Sequence, residues 1–129
     1  MGALIENFEQ RYLLGVDDMD NTHRAFVALV NRLGEAGRQD FITLFADLVT
    51  HTREHFAQED RWMETSDFPA IREHTDEHQR ILGELDRFAQ RVASGSILIA
   101  RSYITQQLPL WFDLHAKTMD SALASHLKK

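Results

Sequence analysis

Apolar side chains return at alternating intervals of three and four residues in four successive stretches of this chain, a period that fits helices with one buried face and does not fit strands. The first stretch carries His23, Phe26, Val27, Val30 and Leu33, the second Leu44, Leu48, His51, His55, Glu59 and Met63. In the third stand His74, His78, Ile81, Leu85, Phe88 and Val92, and in the fourth Ile97, Ile104, Leu108, Trp111 and His115. The breaks between them are short and carry helix-ending chemistry: Gly34 and Gly37, Ser66-Asp67-Phe68-Pro69, and Ser94-Gly95-Ser96. Asp20 or Asn21 is expected to cap the first helix, Asp40 the second, and Pro69 to open the third. Short connections favour antiparallel neighbours, so the expected fold is an all-α, up-down-up-down antiparallel four-helix bundle. Residues 1–17 show no sustained period and are expected to form an irregular N-terminal arm, leaving 18–129 as a single bundle domain. Pro109 falls inside the fourth helix and removes its hydrogen bond to Thr105, which predicts a kink or a restart before Trp111.

The inner stripes are not purely apolar. Each helix places at least one histidine on the face its apolar neighbours assign to the core, and the pairs His55/Glu59 and His74/His78 lie one turn apart on a single face. Burying five imidazoles and a carboxylate without partners would cost several kcal/mol each, about the price of an unmade hydrogen bond in an apolar medium. A bound metal removes that cost, because neutral imidazole and carboxylate are its ligands. Taken singly, each residue has a plainer reading as a satisfied core histidine; their coincidence on four helices favours a metal. His51, one turn before His55, reads as a half-buried polar cap of the core. His126, Glu54, Glu73 and Glu77 read as surface groups.

Composition narrows the chemistry. The chain has 129 residues, a net charge of -6 and no cysteine. Thiolate nucleophiles, iron–sulfur clusters and zinc knuckles are excluded, and an acidic chain is a poor match for nucleic acid. Nothing near Met1 reads as a targeting segment and no apolar run approaches a membrane span, so a cytoplasmic protein without membrane insertion is expected.

The ordered motifs Asp20-Asn21-Thr22-His23, His55-Phe56-Ala57-Gln58-Glu59, His74-Thr75-Asp76-Glu77-His78 and Trp111-Phe112-Asp113-Leu114-His115, followed by Asp120, resemble the hemerythrin family and within it the single-domain bacterial members. The resemblance runs from Gly15 to Leu127, with Met63 and Phe68-Pro69 in keeping. It implies two non-haem iron ions, one held by His74, His78 and His115, the other by His23 and His55, with Glu59 and Asp120 bridging. Five imidazoles, two bridging carboxylates and one oxo or hydroxo bridge leave a single open position on two octahedral ions. Dioxygen is the implied ligand there, bound reversibly at the iron held by two histidines, for carriage, storage or delivery, with a protein acceptor as a further partner. Asp120 comes from the resemblance alone. It lies five residues beyond His115, about 140° around an ideal helix, so both can reach one site only if the helix is irregular, as in a π-type bulge.

Reversible binding calls for a dry surround, for which Phe26, Val27, Phe56, Trp111, Phe112 and Ala116 are the candidates. Phe112 and Ala116 depart from the family's usual aliphatics, Thr22 from its usual Gln, and Phe8 stands near its usual early Trp. Rival readings are weaker. His51–His55 and His74–His78 each match the H-x-x-E-H pattern of inverted zinc peptidases, but two copies and no substrate cleft argue against it. Oxygen-activating di-iron bundles use Glu-x-x-His elements, and no histidine here has Glu three residues before it. That argues against an enzyme, weak peroxidase or nitric-oxide chemistry aside. An oxygen or redox sensor built on the same site remains the alternative reading.

Overall fold

A computed structural model describes residues 3–129, whose regular elements are all helices, without a strand among them. A single turn, α1 (Phe8–Arg11), precedes three long helices, α2 (Asp17–Glu35), α3 (Arg38–Thr65) and α4 (Ile71–Ala93). The fourth segment is one continuous rod of mixed winding: α5 (Leu98–Ser102), a π turn π1 (Tyr103–Gln107), α6 (Leu108–His115), a second π turn π2 (Ala116–Asp120) and α7 (Ser121–Leu127). α3 packs along both α2 and α4, α4 meets α5, and α2 meets π1, so the four segments enclose a common core.

The stripes read from the sequence are the buried faces, His51, Phe88, Ile97 and Trp111 being half-buried at their margins. Apolar burial is split in two. A large cluster includes Phe26, Phe56, Phe112 and Ala116, and a smaller one holds Met19, Met63, Phe68, Leu123 and Ala124. Between them runs a buried polar layer. Along α2 the order is Met19, His23, Phe26; along α3 it is Phe56, Glu59, Met63; along the fourth segment it is Ala116, Asp120, Leu123. The site is thus walled above and below by packed hydrocarbon.

The arm is irregular, as expected, apart from the single turn Phe8–Arg11, and it is packed against the bundle. Met1 and Gly2 lie outside the described residues, but Ile5, Phe8 and Tyr12 are buried in the main cluster and Phe8 begins a helical turn. Asn31 fixes it by accepting from the Ile5 N–H at 2.8 Å and donating to the Ile5 carbonyl at 3.0 Å. Tyr12 donates to Asp113 Oδ1 at 2.5 Å. The arm's apolar residues lack a period because they pack as a strap across helices rather than along one.

Helix starts also differ from the reading. α2 begins at Asp17 after Val16, without a side-chain cap. Asp20 instead turns back to accept from the N–H groups of Leu14 and Gly15 at 2.8 and 3.1 Å, so its carboxylate closes the arm onto α2. α3 begins after Gly37, leaving Asp40 in its first turn, where a negative charge suits the helix dipole. Pro69 precedes α4 by a turn rather than opening it, because Asp67 takes a left-handed φ of 54° and the chain needs Phe68–Ala70 to reverse. Pro109 does force a restart: π1 ends at Gln107, and α6 carries the proline in its first turn, where a missing N–H is harmless.

Candidate metal centre

Seven side chains converge in the polar layer. His23 comes from α2, His55 and Glu59 from α3, His74 and His78 from α4, His115 from α6 and Asp120 from π2. All are buried, and His55, at 7% exposed, is the nearest to solvent. They form two groups able to hold a metal ion: Glu59, His74, His78, His115 and Asp120, and His23, His55 and Glu59.

Each carboxylate spans the two groups with one oxygen on either side. Glu59 Oε1 lies 3.3 Å from His74 Nε2 and 3.1 Å from His78 Nε2, while its Oε2 lies 3.3 Å from His23 Nε2 and 2.7 Å from His55 Nε2. Asp120 Oδ1 lies 3.0 Å from His74 Nε2 and 3.2 Å from His115 Nε2, with Oδ2 at 3.1 Å from His23 Nε2. Adjacent ligands about 2.1 Å from an octahedral ion stand about 3.0 Å apart, which is the spacing of most of these pairs. Yet His74, His78 and His115 Nε2, Glu59 Oε1 and Asp120 Oδ1 make no aligned hydrogen bond. Buried polar atoms left this way are costly, and a cation between them satisfies all of them together. The donor set, nitrogen and carboxylate oxygen without sulfur, fits iron among the first-row metals.

The electrostatics fit the same account. Burial alone would depress the His23 and His74 pKa values, but the facing carboxylates of Asp120 and Glu59 outweigh it and hold them up at about 10 and about 9. Burial would raise Glu59, and its histidines, His55 foremost, hold it well below the ordinary carboxylate range instead. Asp120 is held low against both burial and the charge of Glu59 by His115 and His23. Without a metal, protons on imidazole balance the two carboxylates; a metal takes the place of those protons.

π2 decides the site. The turn Ala116–Asp120 carries Asp120 onto the face of His115, as the five-residue spacing requires. The aromatic shell divides. Phe112 stands edge-on to His23 at 5.7 Å and stacks on Phe26 at 5.3 Å, on the side of His23 and His55. Phe56 stacks on His78 at 3.9 Å and Trp111 on His115 at 4.6 Å, so both belong mainly to the other side. Val27 and Ala116 are buried in the same cluster.

Several contacts were not read from the sequence. Asp60 meets His78 Nδ1 at 3.0 Å, fixing the ring so that Nε2 faces inward as the free nitrogen. Its one sequence signal is adjacency to Glu59. Glu77 is not a plain surface charge: it accepts from Trp111 Nε1 at 2.8 Å and from Arg80. His126, expected in solvent, is half-buried with Nε2 2.8 Å from the Ser66 carbonyl. His51 is half-buried, 3.3 Å from the Thr22 carbonyl, and Glu54 and Glu73 are exposed, as read.

Comparison with known proteins agrees with this geometry. The family model for the hemerythrin HHE cation binding domain matches residues 14–129. A bacteriohemerythrin of Ralstonia nicotianae is 35% identical over 114 residues, covering 88% of this chain and 82% of that one. A myohemerythrin of Riftia pachyptila is 24% identical over 101 residues, covering 78% and 82%. Among solved structures, a crystal structure of a hemerythrin mutant superposes with a TM-score of 0.90 at 18% identity, covering 99% of this chain and all of that one. At that identity the likeness speaks to the fold.

Proposed function

This chain belongs to the hemerythrin family, and on that footing we propose that it is a non-haem di-iron protein that binds dioxygen reversibly, for carriage, storage or delivery rather than for turnover. The observation that carries the reading is the pair of ligand groups joined twice over, by Glu59 and by Asp120, with inward nitrogens and oxygens that have no other partner. His74, His78 and His115 would hold one iron and His23 and His55 the other, with Glu59 and Asp120 shared between them. When bound, two ferrous ions would supply the electrons that reversible oxygen binding needs.

The chain's own residues set the conditions. Glu59 and Asp120 neutralise the cations inside hydrocarbon, where unpaired charge is costly. Asp60 holds His78 in its orientation. Phe26 and Phe112 pack against the rings of His23 and His55 from the core side, in one apolar cluster with Val27 and Ala116, and Phe56 and Trp111 brace the rings of the other group. Exclusion of water and protons is what lets the ligand leave as dioxygen.

The up-down-up-down bundle of residues 18–129, with 1–17 as its arm, is part of the same reading. The contacts of Arg53 with Asp86 and of Asp60 with His78 support opposite directions for α3 and α4; Glu77 with Trp111 and Phe88 with Tyr103 support the same for α4 and the fourth segment. No described helix is long and apolar enough to cross a membrane, and we read the protein as cytoplasmic, with dioxygen and an acceptor protein as partners.

Anaerobic reconstitution with ferrous iron tests the proposal. Two irons per chain and a visible band that comes and goes with oxygen over repeated cycles are the expected result. One zinc, no iron, or immediate irreversible oxidation would overturn reversible carriage. His74→Ala should bring the iron content below two per chain; an unchanged content and spectrum would refute its role as ligand.

A further inference from the structure

The ring plane of His115 has no hydrogen bond on its outer nitrogen to fix it. Nδ1 is buried without a partner among the described residues, whereas Nδ1 of His78 meets Asp60. Rotation of an imidazole about Cβ–Cγ lies in a broad torsional well, so another contact must hold the angle at which His115 Nε2 stands 3.2 Å from Asp120 Oδ1. Trp111, one turn earlier on α6, stacks on that ring with centroids 4.6 Å apart and planes 20° from parallel. The indole is half-buried and reaches across to α4, where its Nε1–H donates to Glu77 Oε1 at 2.8 Å. Arg80 donates to both oxygens of Glu77, at 2.5 Å to Oε1 and 3.3 Å to Oε2, and to Glu84 at 2.9 Å.

These contacts run unbroken from the surface of α4 to a buried histidine of the centre. A stacked ring restrains its neighbour only while it cannot turn itself, and a half-buried indole is held best when its N–H has a fixed acceptor. Glu77 is that acceptor, and the planar guanidinium fork of Arg80 fixes the carboxylate in turn. Phe56, which stacks on His78 at 3.9 Å, has no polar handle, and there Asp60 fixes the imidazole directly. We propose that Glu77 is a positioning residue for His115, acting through the indole of Trp111. The positioning is a property of the chain's own contacts; that it serves iron rests on the di-iron reading.

Nuclear magnetic resonance of the full chain, both metal-free and loaded with diamagnetic zinc, reads the ring directly. The carbon-bound ring protons of His115 should lie upfield of those of an unstacked imidazole, because they sit over the indole face. Glu77→Ala should remove most of that shift, and Glu77→Gln, which keeps an acceptor oxygen, should retain it. Glu77 has 22% of its side chain exposed, so either replacement leaves the core filled. Chelator competition for ferrous iron is the second readout. Glu77→Ala should weaken binding about tenfold and Trp111→Phe as much, with the double variant no worse than Trp111→Phe alone, since Glu77 acts only through the indole. Glu73→Gln, exposed on the same helix, should change neither shift nor binding. A His115 shift that is absent from the unaltered chain or survives Glu77→Ala, equal losses from Glu77→Gln and Glu77→Ala, or effects of Glu77 and Trp111 that add would overturn the proposal. A chain that takes up no iron while its His115 shift still follows Glu77 would refute the di-iron reading and uphold the positioning.

Discussion

Asp60 shows how much a single residue outside the ligand set can do. Among the described residues, His78 is the one inward histidine with a partner on its second ring nitrogen; the Nδ1 atoms of His23, His55, His74 and His115 have none there. Removal of such an orienting carboxylate typically weakens metal binding about ten- to a hundredfold. Asp60→Ala is expected to fall in that range by chelator competition, with both irons still loading at high iron. His51→Ala, by contrast, should leave both irons bound. Tyr12 carries a pH prediction. Burial, then its bond to Asp113, pushes its pKa up to about 12 from the 10.0 of an ordinary phenol. A raised phenol pKa means the fold favours the protonated form, so the contribution to stability is full below pH about 10 and is lost as pH climbs through about 12. Tyr103 is raised as well, by burial first. Ultraviolet titration of the folded protein should therefore show no phenolate at pH 10, and unfolded protein should show it there. Asp113 illustrates the limit of reading residues singly: as a helix-surface aspartate it carries no signal, and only the arm's position makes it the acceptor for both Tyr12 and Arg11.

At the scale of elements, the two π turns separate what spacing can tell from what it cannot. The need for π2 was legible, because His115 and Asp120 cannot share a face of an ideal helix at five residues' separation. A π turn holds one more residue than the α turn it replaces. Deleting Thr118, which is exposed, should return π2 to α-helix and leave His115 and Asp120 four residues apart, a spacing that keeps both on one face. The expected outcome is far-ultraviolet dichroism that keeps its helical signature and an iron content that stays at two per chain. Loss of iron with the dichroism preserved would mean that the π turn places the ligand by more than the shared face. π1 left a different trace: Pro109 announced an interruption, but whether the helix would kink, break or take a π turn depended on its packing against α2 and α4. The arm was hidden for the same reason. Ile5, Phe8 and Tyr12 answer to the groove they cross and not to a helical repeat, whereas the stripes of α2, α3 and α4 answer to their own period.

Over the whole molecule, the polar layer divides the apolar core, and stability and metal binding are therefore linked. A ligand that binds only the folded chain stabilises it by about 4 kcal/mol when present at a thousand times its dissociation constant. Chelation of iron is expected to lower the midpoint of thermal unfolding, and readdition of ferrous iron without oxygen to restore it. Phe112, 1% exposed, contacts the rings of Tyr12, Phe26 and His23 and so joins arm, core and site. Phe112→Ala should cost about 3–5 kcal/mol of stability by denaturant unfolding, and should shorten the number of oxygen cycles the iron survives. The helical class, the four buried faces and the polar residues on them that need a partner in hydrocarbon were all legible in the chain, since period and side-chain polarity are local properties. Which oxygen faces which imidazole, which carboxylate orients His78 and how the arm closes the core came from the packing of the segments. Those depend on distances between segments far apart in sequence, and no local pattern encodes them.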